Sequence, residues 1–132
     1  MPVSFEAIQK GTQYSRQGLA EVWGYRSFHA LARGLVTPRD DNKLILFITE
    51  GEGQQPTAQR YSNHFDGHTL TIDGPADHFA EDRVINARAN GDEIHLFHRG
   101  HPRDEFTYHG RVRLIDSRLY TDRPSRFAFE VE

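Results

Sequence analysis

The sequence predicts a single α+β domain: a curved sheet, mixed or antiparallel, or a small barrel, carrying about three short helices. Three observations predict it. Helical spacing is confined to short stretches, five or six other segments carry strand patterning, and 132 residues suit one compact domain. No repeat, low-complexity tract or linker divides the chain, so residues 1–132 read as one unit, with 1–13 a loose lead-in.

From Ser15 the pattern is helical. Leu19, Val22 and Trp23 recur at i, i+3 and i+4, and Ser15 is placed to cap the first turn. Gly24 interrupts, Ser27 caps a second short helix bearing Phe28 and Leu31, and Gly34 ends it. Lys43 to Thr49 is an unbroken β-branched and aromatic run, the mark of a strand buried on both faces. Gly51 to Gly67 is polar and reads as a long loop, a place where compact domains carry function. Thr69 to Ile72 is a short strand closed by Asp73-Gly74-Pro75. Phe79 to Ala89 reads as a helix capped by Asp77, with Val84 and Ala87 or Arg88 inward, and stopped by Gly91.

Glu93 to Arg99 and Glu105 to Ile115 form an antiparallel pair around Gly100–Asp104. Strict alternation in the second places Phe106, Tyr108, Gly110, Val112 and Leu114 on one face, with Thr107, His109, Arg111 and Arg113 on the other. Arg126 to Glu132, alternating Phe127, Phe129 and Val131, is the last strand.

Composition narrows the chemistry. Without cysteine there is no disulfide, Cys-ligated zinc, iron–sulfur cluster or thiol nucleophile. No apolar run approaches ~20 residues and Met1–Ser4 does not open a signal peptide, so the expectation is a cytoplasmic protein without membrane contact. The net charge of −3 argues against broad phosphate affinity, yet fourteen of the sixteen basic residues are Arg. The planar five-donor guanidinium suits phosphates, base edges and stacking; an Arg bias also follows from a GC-rich genome.

Eight His raise metal binding. His64, Asp66 and His68 alternate as one strand face could present them, which would make the chain a metal-dependent nuclease or hydrolase. His95 and His98 fall on opposite strand faces. No HExxH, P-loop, GxGxxG or GxSxG spacing occurs, and the Asp-Glu pairs sit beside turns, so no catalytic residues and no cofactor are assigned.

A binding module accounts for more of the residues. Tyr14, Arg16, Trp23, Tyr25 and Arg26 interleave aromatics with guanidinium groups, and Arg33 and Arg39 follow. The long loop adds Arg60, Tyr61, Asn63, His64, Phe65 and Asp66. Aromatics stack on a nucleobase, Asn and Asp bond its edge, and Arg holds phosphates. Trp23 also lies on the first helix's apolar stripe, where it would serve the core.

The order of several blocks resembles a known domain family: Tyr14-Ser15-Arg16-Gln17, Trp23-Gly24-Tyr25, Arg33-Gly34-Leu35-Val36-Thr37-Pro38, Ile45-Leu46-Phe47-Ile48-Thr49, Tyr61 with His64-Phe65-Asp66-Gly67, Asp82-Arg83, Ile94-His95-Leu96-Phe97-His98-Arg99 and Phe106-Thr107-Tyr108-His109-Gly110. The family is a small domain of restriction systems, found at the C-terminus of superfamily II helicase proteins and beside HNH nucleases, with a fold related to the PUA/SRA group of modified-base readers. The likeness spans roughly residues 14–115, and neither nuclease nor helicase motifs accompany it. It implies a non-catalytic module that recognises a modified base in duplex DNA, flipped into a pocket, for a separate nuclease or helicase partner. On that reading Tyr61 and Phe65, or Trp23 if exposed, stack on the base; Asn63, Asp66 and His64 bond its edge; Tyr108 lines the wall; and Arg16, Arg33, Arg39 and Arg99 contact phosphate. An RNA-binding member of the PUA-like group is the further alternative.

Overall fold

The computed structural model describes residues 3–51 and 63–132. Its sheet runs in the order β2-β3-β6-β7-β8-β5-β4, with β1 (Gln13–Tyr14) attached to β7. The strands are β2 (Leu35–Val36), β3 (Lys43–Thr49), β4 (His64–Phe65), β5 (Thr69–Asp73), β6 (Glu93–Arg99), β7 (Phe106–Arg118) and β8 (Arg126–Val131). β3 and β6 are parallel neighbours; the other pairs are antiparallel. Among the described residues no ladder closes the path, so this is the curved mixed sheet rather than a barrel. Its two ends nonetheless approach each other: the N–H of Gly51, just past β3, donates to the carbonyl of Asn63, just before β4, at 2.8 Å.

The curl divides the interior in two. Inside it, Leu44, Leu46 and Ile48 of β3 meet Ile94 and Leu96 of β6, Val112 of β7, Leu70 and Ile72 of β5, and Phe127 and Phe129 of β8. Outside it, Ile45 and Phe47 of the same β3 pack with Phe97, Phe106, Tyr108, Leu19, Trp23 and Leu31. The uninterrupted apolar run of β3 is thus explained by burial on both sides.

Short helices cover both faces. α1 (Arg16–Trp23) begins at Ser15, whose side chain accepts from the Gly18 N–H, and ends at Gly24 in the left-handed conformation at φ 79°. A 3-10 turn, Phe28–Leu31, follows with Ser27 as its cap. The helix expected over 79–89 is instead two pieces, α2 (Glu81–Ile85) and α3 (Ala87–Asn90), divided at Asn86, whose ψ of 7° leaves the helical region. Asp77 does not cap it; it accepts from the Phe79 N–H and pairs with Arg33. Val84 and Ala87 plug the inner core. No helix among the described residues is long and apolar enough to cross a membrane.

Two expectations are corrected by packing. The lead-in is held in place from Val3 on: Val3 and Ile8 are buried in the outer core, and the Trp23 indole N–H donates to the Ser4 carbonyl at 2.8 Å. The face assignment in β7 fails at Gly110. Leu96 lies opposite Gly110 while Phe97 lies opposite Tyr108, so His109 is an extra residue that shifts the strand's phase. Phe106 and Tyr108 therefore face the outer core, and Val112 and Leu114 the inner one. Gly110 sits at φ 86°, a conformation that favours glycine. A second bulge between Leu114 and Asp116 lets β7 run on to Arg118 against β8.

Candidate nucleic-acid interface

Two strands that run parallel side by side bring their carboxyl ends, and the chain that leaves them, together at one edge. Here those ends belong to β3 and β6, which finish at Thr49 and Arg99. Alternation sends successive residues to opposite faces, so two different groupings form there.

On the outer face two guanidinium groups share one ring. Arg99 lies 4.3 Å and Arg16 4.9 Å from the centroid of Phe106, and Arg16 is also 4.9 Å from that of Phe47. Polar contacts fix both: Arg99 Nε donates to Thr49 Oγ1 at 2.8 Å, and Arg16 Nε to the Leu31 carbonyl at 2.6 Å. On the inner face Glu50 gathers the groups of the seam. Its carboxylate meets His64 Nδ1 at 2.5 Å and His98 Nε2 at 2.9 Å, and it accepts from the Phe65 N–H at 2.9 Å. The Phe65 ring stands 5.2 Å from the His98 ring and 4.7 Å from the His109 ring, supplied by the bulge.

The electrostatics follow from these contacts. Burial pushes the Glu50 carboxyl up, but hydrogen bonds from His64, Phe65 and His98 outweigh it and leave the group below its ordinary value. The Glu50 hydrogen bond, then its charge, raise His64. His109 is lowered by burial, with His98 and Lys10 adding repulsion.

The assigned residues divide accordingly. His64 and Phe65 belong to the inner-face grouping, where Phe65 also packs against the inner core, and Arg16 and Arg99 belong to the outer-face one. Asn63 is adjacent, but its side-chain carbonyl accepts from the Asp73 N–H at 3.1 Å and serves as a tether. Asp66 turns the chain: one carboxylate oxygen accepts from the N–H groups of His68 at 2.8 Å and Thr69 at 2.7 Å, which also lowers its pKa. β4 ends at Phe65, so His64, Asp66 and His68 do not share a strand face. Among the described residues no three His, Cys, Asp or Glu are grouped to hold a metal ion. Arg33 is pinned to Asp77 at 2.8 Å and lies over Phe79, and Arg39 is exposed at the amino end of β3. Tyr61 lies outside the described residues.

Trp23 and Tyr108 are packing residues, 5% and 6% exposed. Tyr108 closes a chain of bonds: its hydroxyl meets His95 Nδ1 at 2.7 Å, and His95 Nε2 meets Glu93 at 2.9 Å. Phe5 stacks on His95 with centroids 3.6 Å apart. Burial drives the Tyr108 pKa to about 12 and lowers that of His95 against the opposing pull of Glu93. Tyr108→Phe removes the partner of a buried imidazole nitrogen and should cost about 1–2 kcal/mol in urea denaturation. A loss below experimental error would show that the bond contributes nothing.

Sequence patterning alone gives Glu50, His98 and His109 no role. The available signal was the opposite strand phase of His98 and His95, which directs one of them away from the core that holds the other. No family model matches this chain, and no curated protein is significantly similar to it.

Proposed function

We propose that the chain is a non-catalytic, cytoplasmic DNA-binding module that recognises a modified base in duplex DNA for a separate nuclease or helicase of a restriction system. One observation carries most of the reading: an aromatic ring edged by imidazoles and a pair of guanidinium groups lie on opposite faces of the same two strand ends. In this reading Phe65 stacks on the base while Arg16 and Arg99 meet the flanking phosphates. The net charge of −3 keeps affinity for unmodified DNA low, which favours discrimination.

The test is fluorescence anisotropy with duplexes bearing methylated or hydroxymethylated bases, unmodified duplex and single-stranded RNA, at two salt concentrations. One modified duplex should bind at least about tenfold tighter, about 1.4 kcal/mol, than its unmodified counterpart. Phe65→Ala should remove most of that preference, as stacking contributes about 1–3 kcal/mol per base. Arg99→Ala should weaken all duplexes alike and reduce the salt slope by about one. Equal affinity for every duplex overturns the proposal, and preference for RNA replaces it with an RNA-binding module.

A further inference from the structure

Glu50 is committed before any ligand arrives. One oxygen meets His98 Nε2 and the Phe65 N–H, both at 2.9 Å, and the other meets His64 Nδ1 at 2.5 Å. Three contacts fix the carboxylate's rotamer, so it positions other groups rather than reading a ligand itself. It also fixes His64. With Nδ1 turned to the carboxylate, Nε2 is the free edge of a side chain that is 66% exposed.

Among the described residues the charged and titratable surroundings come from several adjoining elements. The turn after β3 contributes Glu50; β4 and its turn contribute His64, Asp66 and His68; β6 contributes His98, with Arg99 on its opposite face. β7 contributes His109, and the N-terminal segment brings the Lys10 stem against Gly110. Asp66 is engaged by two backbone N–H groups. Among the described residues Glu50 and Asp66 are the charges acting on His64, and protonating His64 offsets part of the negative charge that would repel an anion.

We propose that this seam is a phosphate-ester binding site at which protonated His64 donates its outward Nε2–H to a phosphate oxygen, making binding proton-linked. For DNA as the ligand the inference rests on the function proposed above, and it moves His64 from base edge to backbone. Glu50 keeps the His64 proton in place toward neutral pH, since its hydrogen bond and charge raise that pKa above 6.5. His109 is shifted the opposite way, lowered by burial with repulsion from His98 and Lys10, and His64→Gln tells the two rings apart.

The experiment measures affinity of the full chain for a short duplex from about pH 5.5 to about 8.5 at constant ionic strength. In parallel, the His64 imidazole is followed by NMR with and without inorganic phosphate. Affinity should rise about five- to tenfold as pH falls through the His64 pKa, and phosphate should raise that pKa further. His64→Gln should flatten the profile. Glu50→Gln should move its midpoint to lower pH; if that variant does not fold, the wild-type titration and His64→Gln decide. A flat wild-type profile, or an unchanged one in His64→Gln, overturns the inference. Duplex binding without any response of His64 to inorganic phosphate shows that the site needs a phosphodiester backbone, which supports the DNA arm. If modified and unmodified duplexes bind equally while the His64-dependent profile persists, the base-reading proposal fails and this one stands. A modified-base preference with a flat profile means the reverse.

Discussion

Phe97→Ala should lower stability by about 3–5 kcal/mol, because the deleted ring is the hub of the outer core. Phe97 has no solvent exposure. Its ring lies 5.1 Å from Phe47, 5.0 Å from Tyr108, 6.2 Å from Tyr14 and Phe5, and 6.4 Å from Trp23. Those partners come from five different segments, so no single rotamer change can fill the void. Urea denaturation followed by tryptophan fluorescence reports directly, since Trp23 is the single tryptophan and lies in this core. Thermal unfolding should fall by about 10–20 °C for a loss of this size. Phe97→Leu should cost less than half as much. A Phe97→Ala loss below about 1 kcal/mol would mean that the outer core contributes little to the fold.

How far this architecture could be read from sequence differs between neighbouring strands. β3 was legible because a run with no polar interruption has one interpretation at strand length: apolar surroundings on both sides. β7 was not, although its alternation looked cleaner. Apolar residues recur at even positions from 106 to 114 on either side of Gly110, yet the bulge reverses which face they occupy. The phase change is set by pairing with β6, and pairing is a long-range property that period-2 counting does not contain. The 79–89 helix failed for a different reason: apolar spacing fits one helix, and Val84 and Ala87 at i and i+3 would share its inner face, so the pattern carries no sign of the break that Asn86 makes in the backbone.

The candidate site divides along the same line. His64 and Phe65 stood out as a dense mixture of side-chain types. Glu50 did not, because nothing in the turn after β3 distinguishes it from the solvated acids near other turns. It acquires its role from His64, fourteen positions on, and His98, forty-eight positions on. Conversely, Trp23 and Tyr108 carried suitable chemistry for a reader and were drawn into packing. Asp66 shows the same competition locally: a carboxylate two or three residues ahead of backbone N–H groups closes a turn more readily than it waits for a ligand.

Arg126→Met should cost about 3–5 kcal/mol and should also loosen the seam. Arg126 opens β8 and pairs with Asp73, which closes β5, at 2.6 Å; the Asp73 side chain is 1% exposed. Removing the guanidinium takes a principal countercharge from a carboxylate sealed from water, and that desolvation cost dominates. Arg126→Met/Asp73→Leu should recover at least half of the loss, because apolar side chains of similar volume can replace an ion pair in such a place. Recovery in the double variant separates electrostatics from packing: a purely steric role would leave the two losses additive. The second consequence runs through the backbone. The Asp73 N–H donates to the Asn63 side-chain carbonyl at 3.1 Å, and the Asn63 carbonyl accepts from Gly51 at 2.8 Å. The ion pair therefore holds the end of β5 against the residue that introduces β4 and, through it, His64 and Phe65. In Arg126→Met the imidazole signal of His64 should move toward the chemical shift and pKa of a free histidine, since the Glu50 contact depends on that register. If stability falls while the His64 titration is unchanged, the seam is held by Glu50 alone.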